Sequence, residues 1–120
     1  MPYEIKVIEP ALAWLHGLRR TDRETLVQIA SALDVLKQEG PTLGRPLVDR
    51  IKGSKLPNLK ELRPGSSGST EVRLLFVFDP DRNAVILVGG DKSGNWQTWY
   101  PSAIEQAEAA YAIYREETQA

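Results

Sequence analysis

The sequence has no cysteine and a single histidine. Without cysteine it can build neither a disulfide framework nor thiolate chemistry, and the absence fits a reducing compartment. His16 lies beside Leu15 and Leu18 in a helical pattern. One histidine and no cysteine argue against a zinc site. No apolar run approaches the ~18 residues of a membrane span. Residues 1–6 lack the basic opening and apolar core of a signal peptide. A cytoplasmic location is therefore expected. Glycine-rich phosphate loops are also missing, because Gly89-Gly90 and Gly65–Gly68 lack the spacing and the lysine-serine ending. No serine sits in a nucleophile elbow. Neither a metal nor another cofactor is expected.

Excess charge of one sign is lacking too, since the net charge is −1. Its distribution is uneven. Residues 45–63 carry Arg45, Arg50, Lys52, Lys55, Lys60 and Arg63 against Asp49 and Glu61, a net of +4. Residues 101–120 have a net charge of −3. A local positive segment attracts phosphates, although scattered charges on a solvated loop would look the same. The 120 residues suffice for one domain and are too few for two, so residues 1–120 are read as a single domain.

Two apolar runs organise the chain. Val72–Phe78 and Ala84–Gly90 are rich in Val, Ile, Leu and Phe, as strands on a core are. Asp79–Asn83 between them has hairpin composition. Upstream, Tyr3–Ile8 reads as a first strand. Pro10 is suited to the first position of a helix that carries Leu12, Trp14, Leu15 and Leu18 and ends near Gly17 to Arg20. Thr21 and Glu24 have the spacing of a capping box. Leu26, Ile29, Ala30, Leu33 and Leu36 then recur at helical spacing until Gly40-Pro41. Residues 41–58, broken by proline and glycine, read as a connection. Leu59–Arg63 reads as a short strand and Gly65–Ser69 as a flexible loop. Asp91–Tyr100 reads as a polar, aromatic loop, and Ile104, Ala107, Tyr111 and Tyr114 mark a terminal helix. The fold class is α+β, in the order β-α-α-β-β-β-α. A helical hairpin should cover one face of an antiparallel meander and leave the other partly open.

Alternation assigns the faces. Leu74, Phe76 and Phe78 share the core face, which turns Arg73 outward. If Leu62 points to the core, Glu61 and Arg63 lie beside Arg73. Lys92 and the cluster of Trp96, Trp99 and Tyr100 would close the end of this patch. Taken singly, these are an ion pair and a packed aromatic loop. Together they suit single-stranded RNA: guanidiniums bind phosphate, aromatics stack on bases, and a carboxylate or tyrosine moves a proton.

Here the chain resembles toxins of the RelE/ParE superfamily, in the phage-derived, HigB-like branch of type II toxin–antitoxin modules. The resemblance rests on Leu59–Arg63, Arg73–Phe78, Leu87–Lys92, Trp99-Tyr100 and the terminal helix, in that order. It implies a metal-independent endoribonuclease that cuts translated messenger RNA on the ribosome, leaving a cyclic phosphate. It would place Arg63 and Arg73 on the scissile phosphate and Lys92 on the phosphate or leaving oxygen. Tyr100 would sit on a base, with a share in proton transfer, and Glu61 would serve as general base. Lys52, Lys55, Lys60, Trp96 and Trp99 would line the RNA path. The implied partners are a helix-turn-helix (HigA-like) antitoxin, messenger RNA and the ribosome, with operator DNA reached only through the antitoxin. ParE-like relatives on the same fold inhibit gyrase without cutting RNA, so the fold alone does not settle function, and an inactive toxin-fold binding module whose aromatic loop docks a protein is a third reading.

Overall fold

A computed structural model describes residues 2–65 and 70–119. The expected loop Gly65–Ser69 lies outside them, apart from Gly65. The elements are β1 (Glu4–Val7), α1 (Ala11–Thr21), α2 (Arg23–Glu39), β2 (Val48–Arg50), β3 (Lys60–Leu62), β4 (Val72–Phe78), β5 (Asn83–Asp91) and α3 (Trp96–Gln119). The five strands form one sheet in the order β1-β5-β4-β3-β2. β1 runs parallel to β5, and the other pairings are antiparallel.

Period-two alternation sorts the strands onto two cores. Leu62, Leu74, Phe76 and Ile86 pack against Ala11, Leu15, Ile29 and Leu36 of the helical hairpin. Leu75, Val77, Val85 and Leu87 pack on the other side against Ala103, Ala107 and Ala110. The second face is thus roofed by α3 rather than left partly open. Three alanines at helical spacing let that helix settle close to the sheet.

Several boundaries differ from the sequence reading. Residues 41–58 include a strand, because Val48, Asp49 and Arg50 pair with Leu62, Glu61 and Lys60. Such a short segment becomes a strand only through its partner. The α2 cap is Asp22, whose Oδ1 accepts from the Thr25 N–H at 3.1 Å and whose Oδ2 accepts from the Thr25 hydroxyl at 2.6 Å. Thr21 instead ends α1, donating its hydroxyl to the Gly17 carbonyl. With one residue between the helices, Thr21 cannot leave the helical conformation to cap the next. Ala32, not Ala30, is buried on α2. Pro10 caps α1 one residue before its first helical position. The expected loop Asp91–Tyr100 becomes helical at Trp96. Asn95 holds that turn: its Oδ1 accepts from the Thr98 hydroxyl at 2.7 Å, and its carbonyl accepts from the Trp99 N–H at 2.9 Å.

Two contacts fix the position of α3. The buried Asp79 accepts from the N–H groups of Asp81 and Asn83, from Asn83 Nδ2, and from the Tyr114 hydroxyl at 2.7 Å. Glu108 Oε2 accepts from the Ser54 hydroxyl at 2.9 Å and the Lys55 N–H at 2.6 Å. At the other end, β5 is clasped by two tryptophans. A Cβ on Gly89 would stand 2.5 Å from the Trp14 ring, and one on Gly90 would stand 2.6 Å from Trp99 Nε1. Glycine is needed at both positions because the indoles lie on the backbone itself.

Candidate active site

The site is built across β3, β4 and the first turns of α3. Glu61 stands opposite Leu75 in the sheet, so it faces the α3 side, which Arg73 shares by alternation. It is only 4% exposed. Burial of a carboxylate demands partners, and three converge on it. The Tyr100 hydroxyl donates to Oε1 at 2.7 Å. Arg73 Nε lies 3.3 Å from Oε1, and Arg63 Nη2 lies 3.4 Å from Oε2. The face assignment from alternation therefore holds for Glu61, Arg63 and Arg73.

The two arginines are held but not used up. Arg73 Nη1 donates to the Val72 carbonyl at 2.8 Å. The Nε atoms of Arg63 and Arg73 are buried with no hydrogen-bond partner among the described residues. Arg73 Nε is within ion-pair reach of Glu61 yet not aligned for a bond. Burial first, and the hydrogen bond to Glu61 second, push the Tyr100 hydroxyl up to about 12. Tyr100 is thus a protonated donor throughout the neutral range. Its ring meets Trp99 edge-on at 5.0 Å, and Lys92 Nζ lies 5.5 Å from its centroid. Lys92 is fixed at the end of β5, where its N–H donates to the Glu71 carbonyl at 3.0 Å.

Asp49 belongs to this cluster and is missed by sequence reasoning. One of its oxygens lies 3.1 Å from Arg63 and 3.1 Å from Arg45. Its carboxyl is held below the ordinary value, first by Arg45 and then by the Arg50 N–H. A ladder of alternating charge thus crosses the sheet: Arg45, Asp49, Arg63, Glu61, Arg73. The only signal for Asp49 in the sequence is its place as an acid within the positive segment.

The residues expected to line an RNA path are only partly brought together. Trp99 packs beside Tyr100, and Trp96 opens α3. Lys60 does not join the cluster. It shares a face with Leu62, and its Nζ lies 5.4 Å from the Phe78 ring on the opposite side of the sheet. Lys52 and Lys55 are exposed in the loop fastened to Glu108. Glu108 is eight residues along α3 from Tyr100, on the order of 12 Å at 1.5 Å per residue. They flank the cluster at a distance rather than lining it.

A family model of phage-derived Gp49-like proteins matches residues 14–112. Toxin HigB2 of Mycobacterium tuberculosis is 50% identical over 105 residues, covering 88% of this chain and 51% of that protein. Toxin HigB3 of the same organism is 48% identical over 95 residues, covering 79% of this chain and 78% of that protein. The chain therefore spans about half the length of HigB2. Among solved structures, a mutant of the Escherichia coli toxin RelE in the free state superposes with a TM-score of 0.61 at 19% identity. It covers 88% of this chain and 98% of that one. A YoeB dimer from Staphylococcus aureus gives a TM-score of 0.56 at 19% identity, over 72% of this chain and 92% of that one. At such identity these two likenesses speak for the fold alone. The match over most of its length, with the identity to HigB2 and HigB3, establishes that this chain belongs to the Gp49-like family and has the HigB toxins as relatives.

Proposed function

We propose that the protein is the toxin of a toxin–antitoxin pair and cuts translated messenger RNA on the ribosome. The observation that supports this most is the convergence of Arg63, Arg73 and Tyr100 on the buried Glu61. Two guanidiniums stand ready for an anion whose charge grows during reaction, beside a carboxylate whose direction a protonated phenol sets.

The chemistry needs no group from outside. The RNA 2′-oxygen attacks the adjacent phosphorus, the bond to the 5′-oxygen breaks, and the products are a 2′,3′-cyclic phosphate and a 5′-hydroxyl. Arg63 and Arg73 take up the charge on the non-bridging oxygens. Glu61 receives the proton of the 2′-hydroxyl through Oε2, whose described contact, to Arg63, is long at 3.4 Å and leaves lone pairs open. Tyr100 holds the other oxygen, Oε1, and so sets the carboxylate's direction. Lys92 gives a proton to the departing 5′-oxygen. Trp99 and the Tyr100 ring supply a surface for an unpaired base.

A partner antitoxin, of the helix-turn-helix type encoded beside HigB-like toxins, would hold this activity in check in the cytoplasm. The test is single-turnover cleavage of a messenger on translating ribosomes. Wild type should cut, and Arg73→Ala and Tyr100→Phe should each lose at least about 100-fold, in keeping with removal of a positioned charge or proton group. Cleavage by Arg73→Ala at the wild-type rate would remove the assignment.

A further inference from the structure

The opposite face of the β2–β3 edge carries a feature that folding alone does not explain. Arg50 and Lys60 are direct cross-strand partners. By alternation both lie on the side of Val48 and Leu62, away from Glu61. Like charges set directly opposite one another destabilise a sheet. The repulsion registers at Lys60, whose ammonium is held below the ordinary lysine value by burial first and by the Arg50 charge second. Among the described residues no ion pair engages either side chain. Phe78 lies beneath the Lys60 ammonium without consuming its N–H donors.

These two cations line a hollow of about 180 Å³ with Gly44, Arg45 and Asp49. Asp49 is its single carboxylate, and that group is committed to Arg45 and Arg63 at 3.1 Å each. The hollow therefore keeps a positive surplus. It also adjoins the site already described, because Asp49 joins Arg45 at the rim to Arg63 on the other face. From the hollow, Arg45, Asp49 and Arg63 carry alternating charge around the edge strand to that site.

We propose that this hollow is a second phosphate subsite, in which Arg50 and Lys60, with Arg45 at the rim, bind a phosphodiester of single-stranded RNA flanking the one held by Arg63 and Arg73. The proposal rests on the RNA-cleaving reading for its ligand. It accounts for two opposed cations across the β2–β3 pair at the sheet edge, since a phosphate between them turns the repulsion into attraction. It also gives Lys60 an RNA contact on a face remote from the reacting group.

The probe is a labelled single-stranded RNA carrying 2′-O-methyl groups, which cannot be cut. Binding to the full chain is followed by fluorescence anisotropy over a range of salt. The double variant Arg50→Gln/Lys60→Met removes both charges and keeps the lysine stem over Phe78. The slope of log affinity against log salt should fall by about 0.7, the share of the one single-strand phosphate that is no longer neutralised. The melting temperature should stay level or rise, because an unfavourable pair has gone. An unchanged slope, or a lowered melting temperature, would overturn the subsite. Ribosome-dependent cleavage by the wild type is read separately. Cleavage together with an unchanged slope in the variant removes the subsite and keeps the nuclease. A reduced slope without cleavage by the wild type keeps the subsite and removes the nuclease. No RNA binding by the wild type removes the subsite.

Discussion

Replacing Glu61 with glutamine changes one atom's identity and deletes the charge on which the cluster turns. Its stability cost follows from the contacts. The Tyr100 hydroxyl can still donate to an amide oxygen, so that bond, 2.7 Å in the wild type, is largely kept. What goes is the negative charge between Arg73 Nε at 3.3 Å and Arg63 Nη2 at 3.4 Å. Breaking a fully buried pair costs about 3–5 kcal/mol, and a hydrogen bond to a charged group is worth about 1.5–3 kcal/mol. Arg63 is 34% exposed and Arg73 17%, so water screens part of the loss. The expected destabilisation of Glu61→Gln is therefore about 2–3 kcal/mol, below the fully buried figure and above that of a surface pair. Urea denaturation with linear extrapolation measures it. A loss under about 0.5 kcal/mol would mean that the guanidiniums do not depend on Glu61 for their placement. The site would then be two exposed arginines near a carboxylate, and the preorganised anion pocket would not exist.

Three further outcomes are expected. Phe76 is fully buried between the sheet and the helical hairpin; Phe76→Ala should cost about 3–5 kcal/mol in the same assay, and a loss below about 1 kcal/mol would reverse the strand faces. Gly90→Ala would drive a Cβ to 2.6 Å from Trp99 Nε1, so cleavage should drop with the displaced indole, and cleavage at the wild-type rate would show that the seat of Trp99 on β5 does not matter. Burial first, then the bond to Asp79, push Tyr114 up to about 12. The folded chain keeps this proton where the unfolded chain releases it near 10, so the stability it confers is complete below about pH 10 and is lost as pH rises through about 12. Tyr114→Phe should accordingly flatten the decline in urea midpoint between about pH 10 and pH 12; an equally steep decline would show that Tyr114 is not held by Asp79.

Much of the site was legible because a strand alternates. Placing Leu74 and Phe76 in the core set the direction of Arg73, and placing Leu62 there set Glu61 and Arg63. The same rule assigns Lys60 to the face of Leu62, away from the cluster, as observed. What escaped was β2, three residues whose pairing is decided by β3 and whose local composition is that of a loop. With β2 hidden, Asp49 could not be placed beside Arg63. The start of α3 was hidden for a different reason. Trp96, Trp99, Tyr100 and Pro101 have no helical signature of their own, and the turn is held by Asn95 and by Trp99 packing on Gly90. The roof over the second face went unseen because Ala103 and Ala110, small rather than strongly apolar, are among the α3 residues buried against the sheet.

The central claim is that Arg73 and its neighbours cut messenger RNA during translation. It is tested most directly by inducing the wild type and Arg73→Ala in a bacterium, following growth and mapping new messenger 5′ ends. The account predicts growth arrest with new cuts in phase with the reading frame, both lost in the variant although it accumulates as a folded protein. Arrest without new 5′ ends, or arrest with cuts that persist in Arg73→Ala, would contradict it.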